Sequence, residues 1–171
     1  GGRLRGISHR LEVASAQVKA CLILAGLRAE DQTVIEEPGP SRDHTEVMVR
    51  SAGGMVERDG DPLGAGRLTV LPLERDLQLR SLAVPGDVSS AAFLIVAALL
   101  IPGSSVTVER VGLNPTRTGL LEVLRKMGAR LEVVAEQGDY VEPLGRISAS
   151  WSPLVACDIG SEQVPLLIDE L

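Results

Sequence analysis

Three short stretches of this sequence carry side chains that could bind or transform an anionic substrate: Ser15–Gln17, Ser41-Arg42 and Asp169-Glu170. The first two stand just before segments with helical apolar spacing, where unpaired backbone N–H groups and the helix dipole favour anions. The guanidinium of Arg42 can bind a phosphate through two parallel hydrogen bonds. The carboxylate of Asp169 could accept or orient the proton of a reacting hydroxyl. These groups suit a substrate with phosphate and hydroxyl groups.

Each of these residues also has a purely structural interpretation. Ser15 and Ser41 would be helix-capping residues, and Arg42 would be a solvated surface charge. Asp169 and Glu170 would be solvated acids on a helix, where successive side chains point about 100° apart. Residue type alone therefore leaves the choice open.

The elements that would position these residues form a unit that occurs twice. A shift of about 75 residues places residues 15–57 on residues 90–132. The shift aligns these identical residues: Ser15 and Ala16 with Ser90 and Ala91, Pro40 with Pro115, Arg42 with Arg117, Arg50 with Arg125, Gly53 with Gly128, and Glu57 with Glu132. Each unit is predicted to contain a buried helix, a short strand, a second helix introduced by proline, and another strand.

Cap residues predict where the helices of the second unit begin and end. Asp87 is the predicted N-cap of a helix over residues 89–101. Asn114 is the predicted N-cap of the next helix, with Pro115 at its first position. Gly128 is predicted to end that helix in the left-handed conformation.

Between the units, strands are predicted over residues 67–73 and 77–84, with a domain boundary near residue 84. The last ten residues, 162–171, have apolar spacing that predicts part of a helix. A helix cut off at this point predicts that the parent protein continues.

The composition favours a globular chain of 171 residues and excludes several classes of function. The formal net charge of −6 argues against general nucleic-acid binding. Residues 91–102 form the longest apolar stretch, which is too short to span a membrane. Cys21 and Cys157 lack metal-ligand spacing and are expected to be reduced core residues, which favours the cytoplasm. No metal-binding cluster, P-loop or dinucleotide motif occurs, so the sequence offers no candidate metal ligands.

Five strings, in this order and at these separations, resemble the middle of one enzyme family. They are SAQVK at residues 15–19, SRDHTE at 41–46, VPGDVSSA at 84–91, NPTRTG at 114–119 and PLLIDE at 165–170. The family is that of the 5-enolpyruvylshikimate-3-phosphate synthases, or 3-phosphoshikimate 1-carboxyvinyltransferases. The resemblance covers nearly all 171 residues and is weakest over 138–160.

The resemblance implies an α/β fold, the enolpyruvyl transferase fold, in which repeated βαβαββ-type units build two lobes. Residues 1–84 would be the last repeat unit of one lobe, and residues 85–171 the first repeat unit and start of the next unit of the other lobe. The implied reaction transfers the enolpyruvyl group of phosphoenolpyruvate to the 5-hydroxyl of shikimate 3-phosphate, with release of phosphate and no cofactor. Expected partners are these two substrates, not nucleic acid or membrane, and the parent is expected to be a cytoplasmic monomer.

The same resemblance implies roles for individual residues in binding shikimate 3-phosphate. Ser15 and the backbone of Ala16 would hold its phosphate, and Gln17 would lie near both substrates. Ser41 and Arg42 would contact the same phosphate.

Asp169 is implied to be the catalytic base, or the carboxylate that binds the 5-hydroxyl. Arg117 and the cap residues Asp87, Ser89 and Ser90 are expected to be structural. The lysine and arginine segments with which the family binds phosphoenolpyruvate do not occur in this sequence, so the 171-residue chain is not expected to turn over by itself.

Two alternative functions remain at this point. A related transferase that acts on a uridine-diphosphate sugar, UDP-N-acetylglucosamine enolpyruvyl transferase, shares the fold but would lack the Ser-Arg-Asp-His string at residues 41–44. A non-catalytic repeat module that binds anions would not depend on Arg42 for affinity towards shikimate 3-phosphate.

Overall fold

The computed structural model describes residues 2–79 and 81–171. The chain divides into Gly1–Leu82 and Ala83–Leu171, which we call unit 1 and unit 2. This division falls close to residue 84, where the sequence predicts a boundary.

Within its described residues, unit 1 contains a four-stranded sheet and two helices. Its elements are β1 (Ser8–Arg10), α1 (Ala16–Gly26), β2 (Thr33–Glu37), α2 (His44–Ser51), β3 (Val56–Gly60) and β4 (Gly66–Val70). The strand order is β1-β2-β4-β3; β1 and β2 are parallel, and the other pairs are antiparallel. The core contains Ile23 from α1, Ile35 from β2, Val49 from α2 and Leu68 from β4.

Unit 2 packs two helices on a three-stranded antiparallel sheet. Its elements are α3 (Val88–Leu100), β5 (Ser105–Gly112), α4 (Gly119–Lys126), β6 (Arg130–Ala135) and β7 (Leu144–Ser150), and the strand order is β5-β7-β6. Gly86 forms a parallel bridge to Val111, so the segment before α3 runs beside β5 as β1 runs beside β2. Ile95, Leu121 and Ile147 are among the buried core residues.

The two units share the order helix, strand, helix, strand, strand, and in both the last strand lies between the other two. This shared order confirms the predicted repeat. Gly53 and Gly128 have φ angles of 90° and 89° just beyond α2 and α4, so Gly128 ends its helix as predicted.

The alignment of the first helices needs a correction, because their N-caps are Ser15 and Asp87. Ser15 therefore corresponds to Asp87, and not to Ser90.

The prediction that Asn114 and Pro115 begin a helix is wrong, because α4 begins at Gly119. Asn114 Oδ1 accepts hydrogen bonds from the Thr116 N–H at 2.9 Å and from the Thr116 hydroxyl at 2.7 Å. The Asn114 carbonyl also accepts the Arg117 N–H. The short asparagine side chain thus stabilises a turn in place of a helical start.

The strand predicted over residues 77–84 is absent from its described residues; residue 80 lies outside them. Gln78 donates its N–H to the carbonyl of Ala52, which lies in the turn after α2 and not in a neighbouring strand. The segment is therefore held by a loop contact instead of a strand ladder. The other predicted strand, over residues 67–73, is present in part as β4, which ends at Val70.

The helix predicted within residues 162–171 is also wrong. This segment contains a single turn of 3-10 helix, Val164–Leu166. Pro165 has no N–H to continue a helical ladder, and Leu167 leaves the helical region with φ −143°. Leu167 is instead buried, while Leu166 packs against Gly119 at the start of α4.

The first helix of each unit is buried on one face only, so the prediction of buried helices is partly wrong. In α3, Phe93 is 81% exposed, and Leu94 and Leu100 are also exposed.

Cys21 in α1 is exposed and Cys157 is partly buried, and neither forms a disulfide. The prediction that both cysteines lie in the core is therefore wrong.

Candidate functional site

The carboxyl ends of the parallel strands β1 and β2 bring two of the predicted binding segments together. The loops that leave this edge lead to the N-termini of α1 and α2. Ala14 Cβ lies 3.9 Å from the position that a Cβ would take on Gly39, so the two loops lie side by side. Ser15–Gln17 and Ser41-Arg42 therefore share the edge at which α/β proteins commonly bind ligands.

Ser15 is the N-cap of α1. Its backbone is extended (φ −125°, ψ 110°), and its Oγ accepts a hydrogen bond from the Val18 N–H at 3.4 Å. A hydroxyl that accepts a hydrogen bond still has its own proton to donate. Ala16 is the first helical residue, and Gln17 is exposed beside it. The capping role and an anion-binding role are thus compatible in Ser15.

Ser41 and Arg42 are half-buried in the loop before α2. Ser41 donates its hydroxyl proton to Glu37 Oε1 at 2.6 Å. Since a serine hydroxyl has one proton, Ser41 in this arrangement can offer an anion only its backbone N–H. Sequence reasoning missed this partner of Ser41.

Glu37 belongs to a group of buried charges that sequence reasoning also missed. Lys19 Nζ lies 3.2 Å from Glu37 Oε1 and 2.7 Å from Glu46 Oε1, and Arg58 Nη1 lies 2.6 Å from Glu37 Oε2. The side chains of Lys19, Glu37 and Glu46 are at most 2% exposed. Glu46 Oε2 is buried without a hydrogen-bond partner among the described residues. We call Lys19, Glu37, Glu46 and Arg58 the charge network.

A sequence signal for the charge network does exist. Lys19 interrupts the apolar face of α1 and stands four residues after the N-cap, in line with buried Ile23. A lysine at such a position is buried only when it is paired. Its partners could not be named from the sequence, because Glu37 and Glu46 lie on different elements.

In unit 2, Asp169 contacts a residue that the sequence assigned to structure. Arg117 Nη1 lies 2.7 Å from Asp169 Oδ2, and Arg117 Nη2 lies 2.9 Å from Asp87 Oδ1. Nη2 also donates to Ser89 Oγ at 3.0 Å, and Ser89 in turn donates to Glu170. Arg117 therefore ties the C-terminal segment of unit 2 to the start of α3.

Arg117 corresponds to Arg42, since each stands two residues before the second helix of its unit. In unit 2 this guanidinium binds the carboxylates of Asp87 and Asp169. In unit 2, the arginine at this position of the repeat therefore already binds anionic groups.

Asp87 is the predicted N-cap of α3, and the structure confirms it: its Oδ2 accepts the N–H of Ser90 at 2.8 Å. The hydroxyl of Ser90 also donates to this oxygen, and this bond is the largest cause that lowers the pKa of Asp87 from its ordinary value of 3.8. Backbone N–H groups and the charge of Arg117 lower the pKa further.

This lowered pKa predicts a pH dependence of stability. A carboxyl group with a lower pKa in the folded state stabilises the protein above its ordinary pKa, and this stabilisation is lost as pH falls through the folded value. We expect Asp87→Asn to weaken the decline in melting temperature as pH falls below about 4, because asparagine caps a helix without titrating. Melting curves across this range test the prediction, and equal pH slopes for variant and wild type would contradict it.

The described residues contain neither a cluster suited to a metal ion nor a helix suited to a membrane. In residues 2–79 and 81–171, no group of three or more His, Cys, Asp or Glu side chains could hold a metal ion. In the same residues, no helix has the length and apolar character needed to cross a membrane.

The repeated units and a match to solved structures define the class of protein. The structure of EPSP synthase from Acinetobacter baumannii superposes with a TM-score of 0.87 at 43% sequence identity, over 99% of this chain and 37% of that one. The fold is therefore the α/β enolpyruvyl transferase fold.

Sequence comparison narrows the class to a family. The sequence model of EPSP synthase (3-phosphoshikimate 1-carboxyvinyltransferase) matches residues 1–170. The 3-phosphoshikimate 1-carboxyvinyltransferase of Acidiphilium cryptum is 51% identical over 164 residues, which are 96% of this chain and 36% of the relative. That of Thermus thermophilus is 48% identical over 171 residues, which are 100% of this chain and 39% of the relative. The chain belongs to the EPSP synthase family and spans about two fifths of the length of these relatives.

Proposed function

We propose that this chain contributes to the transfer of the enolpyruvyl group from phosphoenolpyruvate to the 5-hydroxyl of shikimate 3-phosphate, with release of phosphate. The reaction serves aromatic amino-acid biosynthesis through the shikimate pathway, and we place it in the cytoplasm, with a monomeric parent protein. Membership of the EPSP synthase family supports the proposal. The observation that carries it is the meeting of Ser15–Gln17 and Ser41-Arg42 at one edge of unit 1.

The edge of unit 1 would bind the phosphate of shikimate 3-phosphate. The Ser15 hydroxyl and the backbone N–H of Ala16 stand at the positive end of α1, which favours a phosphate group. Arg42 would add a charge-assisted hydrogen bond, and Ser41 its backbone N–H. Gln17 is exposed at the same helix start and would contact either substrate through its amide.

Asp169 would act on the 5-hydroxyl. As the hydroxyl oxygen bonds to the enolpyruvyl group and phosphate leaves, the hydroxyl proton needs an acceptor, and a carboxylate within hydrogen-bond reach can take it. The ion pair with Arg117 gives Asp169 a defined position in unit 2. Residues 1–84 and 85–171 would belong to different lobes of the enzyme.

A chimera tests this function directly. The 171 residues would replace the matching segment of the Thermus thermophilus relative, and phosphate release would be measured with both substrates. We expect steady turnover by the chimera. We expect none from the 171-residue chain alone, because it lacks the family's cationic segments for phosphoenolpyruvate.

Three further measurements make the result decisive. Circular dichroism establishes that the chimera is folded, and the unmodified relative provides the reference rate. Replacing shikimate 3-phosphate with UDP-N-acetylglucosamine should abolish phosphate release. A folded chimera that is inactive with shikimate 3-phosphate, or turnover by the chain alone, would contradict the proposal.

A further inference from the structure

The four positions of the charge network are apolar in unit 2. The corresponding residues can be assigned from their places in the shared elements. Lys19 and Ala91 each stand four residues after an N-cap, and Glu46 and Leu121 are each the third residue of a second helix. Glu37 pairs with Gly66 of the central strand β4, and Val111 pairs with Gly145 of the central strand β7. Likewise, Arg58 pairs with the buried Leu68 of β4, and Val133 pairs with the buried Ile147 of β7.

Unit 2 shows that this framework folds without these charges. Ala91, Val111 and Leu121 belong to the core of unit 2, and Val133 packs against that core. Burying ionised groups carries a large desolvation penalty, and well-packed apolar residues often replace a buried ion pair without loss of stability. The charges in unit 1 therefore need an explanation other than stability of the fold.

The contacts of Glu37 supply that explanation. Its carboxylate receives Lys19 from the first turns of α1, Ser41 from the loop before α2, and Arg58 from β3. Lys19 stands one helical turn after Ser15, so its burial also fixes the start of α1. Both segments at the edge of unit 1 are thus attached to one carboxylate.

We propose that the charge network is a positioning device: it holds the loop of Ser41 and Arg42 against the N-terminus of α1 in the arrangement that binds the substrate phosphate. The network contains two cations and two carboxylates, so its formal charge is zero and it offers no net attraction to phosphate. Its effect is exerted through the Ser41 and Lys19 contacts. The ligand in this inference rests on the proposed function, whereas the positioning itself does not.

The test exchanges the charge network for the residues that unit 2 uses. The quadruple variant carries Lys19→Ala, Glu37→Val, Glu46→Leu and Arg58→Val, and we expect its melting temperature to be at least that of the wild type. Ser41→Ala removes only the hydroxyl bond to Glu37. The matched control is Arg3→Gln with Glu30→Gln, an exposed ion pair of unit 1 whose removal also leaves the net charge unchanged.

Two readouts separate positioning from function. In the 171-residue chain, NMR order parameters of residues 39 and 41–43 should fall in the quadruple variant, from near 0.85 towards about 0.6, and fall less in Ser41→Ala. In the chimera, KM for shikimate 3-phosphate should rise roughly 10- to 100-fold, the effect of a misplaced binding group. kcat at saturation should change much less, because Asp169 lies in unit 2. The control should change neither readout.

Each outcome has a defined meaning. Unchanged order parameters together with unchanged KM would overturn the proposal, and so would a quadruple variant that does not fold, since the proposal assigns the charges to positioning and not to stability. The quadruple variant could show lower order parameters while the chimera with the wild-type segment has no affinity for shikimate 3-phosphate. That combination would support positioning and reject the proposed function.

Discussion

Replacing Asp169 by asparagine in the chimera is expected to lower kcat by roughly 10²- to 10⁴-fold, the contribution typical of general acid–base catalysis. Asparagine retains an oxygen that can accept the Arg117 hydrogen bond, which measures 2.7 Å in the structure. The variant therefore keeps the position of the side chain and loses its capacity to take a proton. The measurement is phosphate release with both substrates at saturation.

Glu170→Gln is the matched control for Asp169. Glu170 is the adjacent acid, and its hydrogen bond with Ser89 can be kept by a glutamine oxygen. We expect kcat of this variant to stay within a few-fold of wild type. A folded Asp169→Asn chimera that retains more than a tenth of wild-type kcat would remove Asp169 from the role of base.

Arg42→Ala is expected to raise the dissociation constant for shikimate 3-phosphate by roughly 30-fold or more, since truncation of a charged partner costs about 2 kcal/mol or more. Arg42→Lys should recover only part of the affinity, because an ammonium lacks the planar fork that matches phosphate. Titration calorimetry on the chimera measures both values.

The control for Arg42 is Arg28→Ala. Arg28 is exposed in the turn that follows α1, at the opposite end of the helix from Ser15. The Arg28→Ala variant removes the same charge at a distance from the proposed phosphate site, and we expect its dissociation constant for shikimate 3-phosphate to be unchanged. If Arg42→Ala binds shikimate 3-phosphate as tightly as Arg28→Ala does, the phosphate contact assigned to Arg42 is wrong.

Features determined by local chemistry could be predicted from the sequence. The cap at Asp87 and the left-handed glycine at Gly128 depend on the residue itself and its immediate neighbours, and the structure confirms both. The repeat was also detectable, because each unit keeps the same order of elements. Asn114 was misassigned because the same side chain can cap a helix or close a turn, and only the chain that follows decides between them.

Features determined by contacts between distant elements could not be predicted. The ion pairs of Arg117 were missed because its partners Asp87 and Asp169 are 30 and 52 residues away in the chain. Lys19 was overlooked for the same reason, since apolar spacing predicts burial and does not identify the partners of a buried charge. The convergence of Ser15 and Ser41 was implied only by the family resemblance, because it depends on the parallel pairing of β1 with β2.

The apolar positions of unit 2 have a consequence for how such proteins diversify. Two copies of one architectural module occur in this chain, one with an ionic interior and one with an aliphatic interior. Duplication can therefore free the interior of one copy from the task of positioning a phosphate-binding edge. A protein engineer could reverse this step by transplanting the ionic interior into the second copy together with the serine and arginine segments that it positions.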